Sequence, residues 1–370
     1  MKKKLYILGF SMFLLILIVV ICIFTKAGQF LLGELDKLSA EATTQITEVK
    51  IEEITTEETT QDVTESIENS SEQQPTEATT EATTEAVVQY EGQLVFSNLS
   101  YGVNESNTYD LYLPSGMNME EPQGLMLMVH GGSWVSGKKE DMSEHCIRLS
   151  DKGYITATMN YTLCTNNGNA CVETMLDEIS VCILEIKRKV ESLGLTIDNM
   201  AISGTSAGGH LALLYAYRRA DVAAIPVRFV FQQVAPIDFH AETWNLGMSE
   251  LTMFNDQSRY LHFLNMISGE KHTLAQLITG ELEDDIMALS PCSYIDDNSI
   301  PTILSYGKND VTIGNLHQDF LLDKLDEYGV PYDYILFENS GHLLNKDPDK
   351  LEELYDTVIE YAEEYFVTEE

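Results

Sequence analysis

Hydrophobic and polar positions change period several times along the chain, and each change marks an element. Leu94 to Tyr101 and Thr108 to Leu113 alternate with period two, as strands of an antiparallel pair do. Gly124 to Val129 is a continuous apolar run, the pattern of a strand buried on both faces. Asp141 to Lys152 reads as a helix, Tyr154 to Tyr161 as a strand, and Val172 to Leu193 as a long helix with apolar residues at helical spacing. A short apolar run, Met200 to Ile202, meets Gly204-Thr205-Ser206-Ala207-Gly208 and gives way to an Ala/Leu-rich helical stretch. Val227 to Val234 is the next strand. Residues 239–289 break the rhythm, being rich in Met, Leu, His and acidic side chains, with helical periodicity and no clear strand. Alternation resumes with strand Thr302 to Tyr306, helix Leu316 to Tyr328, strand Tyr332 to Phe337 and a closing helix from about Asp349 to Tyr365. Such alternation predicts an α/β fold: a mostly parallel, twisted sheet with helices on both faces, and a helical cap inserted at about 239–289. Active groups in such a sheet gather at the carboxyl ends of the strands.

The N-terminal pattern is different. Lys2, Lys3 and Lys4 precede an uncharged run from Leu5 to Phe24. Twenty helical residues at about 1.5 Å each span about 30 Å, the thickness of a bilayer's hydrocarbon core. Residues 1–27 are therefore expected to be a membrane anchor, with the lysines cytoplasmic and the rest of the chain outside. A cleavable signal peptide ending at Thr25-Lys26-Ala27 is the competing expectation, and it gives a secreted protein. Residues 28–89 shift to Thr, Glu, Gln and Ser and end in a Thr-Thr-Glu-Ala repeat, too poor in large apolar groups to offset chain entropy. They read as a disordered, self-repelling linker, which leaves 90–370 as the folded domain.

Charge narrows the partners. The formal charge is −37 over 370 residues. Residues 28–92 hold 16 acidic and 2 basic side chains and residues 1–27 hold four lysines, so about −27 remains on the rest. A surface this acidic repels nucleic acid and anionic headgroups. No H-E-x-x-H or C-x-x-C spacing occurs, so no metal cofactor is expected. No protein partner is indicated. In an exported chain, Cys164 and Cys171 bracket a polar loop and are candidates for a small disulfide, while Cys146, Cys182 and Cys292 read as buried thiols.

The candidate chemistry sits just past predicted strands. Glycines on either side of Ser206 admit the tight strand–turn–helix that lifts a serine hydroxyl above a sheet edge and leaves the Ala207 amide free at a helix N-terminus. His130-Gly131-Gly132 follows one strand, Ser206 a second, Asp310 a third and His342 a fourth. A serine hydroxyl needs a base to take its proton, and His342 has the pKa range for it, worth about 10²–10⁴ in rate. Asp310 would hold the imidazole in one tautomer and stabilise its cation. Gly131, Gly132 and Ala207 supply amides for an oxyanion, one such donor being worth roughly 3–4 kcal/mol. Asp238, after strand Val227 to Val234, is a rival acid. Trp134 is a candidate substrate-binding residue, with plain core packing as its alternative. His130 is expected to brace its loop and His210 to pack on the nucleophile helix.

His130-Gly131-Gly132-Ser133-Trp134, Asn160-Tyr161, Gly204-Thr205-Ser206-Ala207-Gly208-Gly209-His210, Ser290-Pro291 and the Asp310/His342 pair together resemble the esterase/lipase families of the α/β-hydrolase fold. They are similar to the bacterial acetyl- and carboxylesterases related to hormone-sensitive lipase and kynurenine formamidase. The resemblance covers residues 94–366. It implies hydrolysis of short-chain carboxylic esters or acetylated sugars through an acyl-enzyme on Ser206, with a small-molecule or glycan ester as substrate and no cofactor. Ser133 stands in place of a third loop glycine, Thr162 where relatives often carry Arg, and Ser305-Tyr306-Gly307 where His-Gly is usual. The alternatives are a peptidase or amidase using the same triad, and a non-catalytic surface binding module on a hydrolase scaffold.

Overall fold

The chain order of strands and helices follows the expected alternation. The computed structural model describes residues 86–90, 93–117, 123–164, 170–247 and 257–366. The expected anchor at 1–27 and nearly all of the expected linker lie outside the described residues. One boundary is corrected. Ala86–Tyr90 forms strand β1, paired antiparallel with the next strand, so sheet structure begins inside the segment read as linker. Its Ala-Val-Val-Gln-Tyr sequence lacks the Thr and Glu of the preceding repeat and carries β-branched residues suited to a pleated surface.

Nine strands form one sheet among the described residues, in the order β1-β2-β3-β5-β4-β6-β7-β8-β9. β2 (Gln93–Ser100) and β3 (Thr108–Leu113) continue the antiparallel edge, and β3 pairs antiparallel with β5 (Ile155–Met159). From β5 onward all neighbours are parallel: β4 (Gln123–Val129), β6 (Ile197–Thr205), β7 (Val227–Gln233), β8 (Thr302–Gly307) and β9 (Tyr332–Phe337). The unbroken apolar run of β4 is explained by burial: Leu125, Met126, Leu127, Met128 and Val129 are all closed to solvent, which requires cover on both faces of the sheet.

The helices supply that cover. α1 (Ser143–Asp151) and α9 (Pro348–Tyr365) are joined by Arg148–Glu352 at 2.9 Å and by Tyr355 Oη against His145 Nδ1 at 2.6 Å. α2 (Val172–Ser192) buries Met175, Leu176, Ile179, Cys182, Ile183, Ile186 and Val190, the stripe its three-four spacing demands. Each such side chain contributes roughly 1.5–3 kcal/mol on burial. α3 (Ala207–Arg219) is buried along its whole first half and tied to α2, with both Arg218 and Arg219 binding Glu173. The cap contains α4 (Ala241–Gly247), α5 (Gln257–Ser268), α6 (Leu274–Thr279) and α7 (Glu283–Leu289), and α8 (Asn315–Tyr328) lies between β8 and β9. Among the described residues no helix is long and apolar enough to cross a membrane.

Strand order places the site. The chain runs from β4 to β5 on one side, then returns to β6 on the other side of β4, so direction reverses at the β4–β6 pair. Ligands bind at such reversals, beyond the carboxyl ends of the strands. The register pairs Val129 with Gly204, which sets the loop starting at His130 level with Ser206. On β8 and β9, Gly307 pairs with Phe337, so the loops carrying Asp310 and His342 leave the sheet side by side.

Candidate active site

Ser206 sits at the turn between β6 and α3 with φ 56° and ψ −120°. A non-glycine residue in that region is strained and persists only where its surroundings hold it. Here its amide donates to Gln233 O at 2.8 Å, and its carbonyl accepts from His210 N at 2.9 Å. The flanking glycines are required by contact. A Cβ at Gly204 would lie 2.3 Å from the Gly208 carbonyl carbon, and one at Gly208 would lie 2.1 Å from Val129 O. Strand, elbow and helix are pressed together at main-chain distance.

The expected triad residues meet. His342 Nε2 is 3.0 Å from Ser206 Oγ, and His342 Nδ1 is 2.8 Å from Asp310 Oδ2. The other Asp310 oxygen accepts from the amides of Thr312 at 2.8 Å and Ile313 at 3.0 Å, which fixes the carboxylate's orientation. Asp310 is closed to solvent at its side chain (1%), whereas His342 is 22% exposed and reachable from solvent. With Nδ1 donating to the carboxylate, Nε2 presents a lone pair to the serine hydroxyl, the arrangement a general base needs. The His342 loop is clamped from beneath by Asp347, which accepts from the Asn339 side chain at 2.6 Å and from Ser340 Oγ at 2.5 Å. Asp347 was not a sequence candidate; its signal is an acidic residue just ahead of the Pro348 that opens α9.

Gly131 and Gly132 line up beside this hydroxyl. The position of a Cβ on Gly131 lies 2.8 Å from Thr205 O and 3.4 Å from Ser206 Cβ, so only glycine admits this approach. Among the described residues, the amides of Gly131, Gly132 and Ala207 donate to no backbone oxygen. They are available to a developing oxyanion. His130 braces the loop as expected: its Nδ1 meets Gly131 O at 2.7 Å, its ring stacks on Tyr161 at 4.2 Å, and Tyr161 Oη donates to its carbonyl at 3.0 Å. Burial lowers the His130 pKa and keeps the ring neutral. Trp134, the candidate substrate-binding residue, is 3% exposed and packs against Phe239 and Phe263.

The residues that depart from the family pattern are bonded into the frame. Thr162 donates its amide and hydroxyl to the buried Glu178 at 2.7 and 2.5 Å. Ser305 Oγ donates to Gln232 O at 3.0 Å, and Tyr306 Oη to Ala235 O at 2.7 Å, both across to β7 and the turn after it. The expected Cys164–Cys171 bridge is not formed, and both are free thiols. The Cys164 amide is held on Trp134 O at 2.7 Å, while Cys171 turns its sulfur to Thr174 Oγ1 at the start of α2. Burial raises the thiol pKa of Cys146 and Cys182 and pushes that of Cys292 up to about 12.

Asp238, the rival acid, serves the cap instead. It binds His240 Nδ1 at 2.7 Å and the hydroxyl of Thr243, and the far nitrogen of His240 reaches Glu283 on α7 at 3.1 Å. The Asp238 hydrogen bond, helped by Glu283, raises the His240 pKa from 6.5 to about 9 against the cost of burial. Burial acts to raise the Asp238 pKa, but the bonds from His240 and Thr243 outweigh it and hold the carboxyl below 3.8. His240 therefore stabilises the cap fully below pH 6.5 and loses that contribution as pH rises through about 9. Asp238 contributes above 3.8 and loses its share in stronger acid. His240→Gln is expected to flatten the alkaline decline in melting temperature between pH 6.5 and 9, measured by thermal melts at stepped pH. A decline as steep as that of the unaltered chain would count against this account.

Comparison with known proteins places the family and the fold. The BD-FAE family model matches residues 109–325. A probable isoprenylcysteine alpha-carbonyl methylesterase of Oryza sativa is 25% identical over 284 residues, covering 72% of this chain and 62% of that protein. The probable carboxylic ester hydrolase LipM of Mycobacterium tuberculosis is 24% identical over 215 residues, covering 58% of this chain and 47% of its own length. The chain thus spans only about half to three fifths of these curated relatives. Esterase B of Lactobacillus rhamnosis, solved with a phosphonate inhibitor, shares the fold at a TM-score of 0.58 and 20% identity, over 75% of this chain and 87% of that one. With more than half of its length matched and an α/β-hydrolase sheet beneath the site, the chain belongs to the BD-FAE family of α/β-hydrolase esterases.

Proposed function

We propose that this protein is a serine hydrolase of carboxylic esters. The observation that carries the reading is the Ser206–His342–Asp310 line, with contacts of 3.0 and 2.8 Å. Ser206 Oγ attacks the ester carbonyl while His342 Nε2 takes its proton. The carbonyl oxygen becomes an anion held by the amides of Gly131, Gly132 and Ala207. His342 then returns the proton to the leaving alcohol, and an acyl group remains on Ser206. Water, activated by the same imidazole, attacks the acyl carbon and releases the acid. Asp310 stays ionised and orients the ring throughout.

The substrates we propose are esters of short acids, including acetylated sugars. Trp134, next to the oxyanion loop, packs on Phe239 and Phe263, and side chains this large beside the site support acyl chains of about two to four carbons. The Lys2–Lys4 cluster and the apolar run after it support an anchored chain with its site outside the cell. The test is a panel of p-nitrophenyl esters of graded acyl length, run on the full chain beside an aminoacyl anilide. Turnover is expected to peak at about two to four carbons and to fall about tenfold or more by eight. A best substrate of ten or more carbons rejects the short-acyl reading, and faster anilide cleavage rejects the esterase in favour of an amidase.

A further inference from the structure

His210 lies one turn beyond Ser206 on α3 and takes no part in the proton transfers above. Its ring is closed to solvent, and both nitrogens are engaged. Trp134 Nε1 donates to Nδ1 at 3.2 Å, and Nε2 lies 2.8 Å from the carbonyl oxygen of Leu289. An indole nitrogen only donates and a carbonyl only accepts, so the tautomer is fixed with its hydrogen on Nε2. Burial pushes the His210 pKa down to about 3, and the ring stays neutral at any working pH.

Three segments distant in sequence converge on this ring. The nucleophile helix carries it, the loop holding Gly131 and Gly132 reaches it through Trp134, and the last turn of the cap reaches it through Leu289. That loop needs an outside hold. Gly132, Ser133 and Trp134 take φ values of +112°, +53° and +62° in succession. Left-handed backbone at two consecutive non-glycine residues persists only where neighbours fix it. Within the loop Val135 N and Ser136 N donate to Gly132 O, and His130 braces Gly131. The contacts with the rest of the fold beyond these converge on Trp134: the bond to His210, the ring's packing on His210, Phe239 and Phe263, and its carbonyl bound by Cys164 N.

We propose that His210 is a positioning residue of the oxyanion loop. Through Trp134 it sets where the Gly131 and Gly132 amides point, and through Leu289 it ties that setting to the seating of the cap. This rests on the serine-hydrolase reading, and the test separates the two. His210→Leu removes both bonds at similar volume. On p-nitrophenyl acetate its kcat is expected to fall about 10- to 100-fold while KM stays within about threefold, because the amides drift and the substrate's other contacts remain. His210→Gln offers a carbonyl oxygen to the indole and an N–H to Leu289, and is expected to return kcat to within about threefold of the unaltered chain. Unchanged kcat in His210→Leu, or equal losses in both variants, overturns the proposal.

Two further measurements hold if His210→Leu does not fold. Trp134→Phe keeps a ring and removes the donor; about tenfold lower kcat is expected, and an unchanged value overturns the role. In a Trp244→Phe background Trp134 is the only tryptophan of the chain's two. Its emission is expected to move to the red in a His210→Ala variant and to stay in place with His210→Gln, and an emission indifferent to both overturns the anchoring. An unaltered chain that cleaves no ester and takes no fluorophosphonate at Ser206 brings down the serine-hydrolase reading and this role with it. A Ser206-dependent esterase indifferent to His210 overturns the positioning role alone.

Discussion

Ser206→Ala is expected to lower kcat/KM on p-nitrophenyl acetate by about 10⁴-fold or more, with melting temperature nearly unchanged. The expected size follows from what remains. Without the hydroxyl no acyl-enzyme forms, and the neighbouring Thr205 hydroxyl offers no substitute because it donates to Gln233 Oε1 at 3.0 Å. The Gly131, Gly132 and Ala207 amides survive the substitution and still bind an oxyanion. A residual rate of about 10³–10⁴ over water is therefore expected, from water attacking directly. Fluorophosphonate labelling reads the same question by mass: one adduct on the unaltered chain and none on the variant. A variant keeping a tenth of the activity, or a labelled serine elsewhere, would remove Ser206 from the mechanism.

Gly208→Ala is expected to damage stability and rate together. The added methyl would lie 2.1 Å from Val129 O and 2.4 Å from His130 O, main-chain atoms of a central strand and of the oxyanion loop. No side chain can rotate away, so α3 must move off β4. Overpacking of this kind costs about 3 kcal/mol. In a domain of this size that corresponds to roughly 6–12 °C in melting temperature. The same shift displaces Ser206 from His342, and kcat is expected to drop about 100-fold. Gly280→Ala is the control: its φ is +75° with nothing within 4 Å of the new methyl. It should cost only about 1 kcal/mol of backbone strain and leave kcat alone. Equal effects from the two substitutions would mean that crowding at the elbow does not govern either property.

Much of the scaffold was legible because burial writes itself into periodicity. β4 reads as an apolar run because both its faces are covered, and α2 reads as a helix because its buried residues recur every three or four positions. The meeting of Ser206, Asp310 and His342 was legible through order: loop, serine, aspartate and histidine each follow a strand, and a parallel sheet brings all strand ends to one rim. What escaped has no periodic signature. Asp347 under the His342 loop is a polar contact of a short loop with a helix start. The bond from His210 to Leu289 uses a carbonyl, which every residue owns, so residue type says nothing of it. Trp134 suits a pocket wall or a core equally by composition, and its 3% exposure and packing on Phe239 and Phe263 are not written in residue type. β1 was masked by the Thr/Glu repeat in front of it. The Cys164–Cys171 bridge followed from spacing alone, whereas Trp134 and Thr174 hold those two residues to other partners.

The cap leaves the sheet and rejoins it at almost the same place. Phe239 N donates to Ser290 Oγ at 2.9 Å, and Cys292 N donates to Ile237 O at 3.2 Å, so its two stems are stitched to each other. An excursion whose stems touch is a cassette: it can be excised to a short turn, or exchanged for one of different length, without altering the spacing of β7 and β8. The catalytic rim and the covering piece are then free to diversify on separate schedules in a lineage. Two seams that resist such grafting are Leu289, whose carbonyl any replacement must supply again, and Phe263, whose ring packs on Trp134.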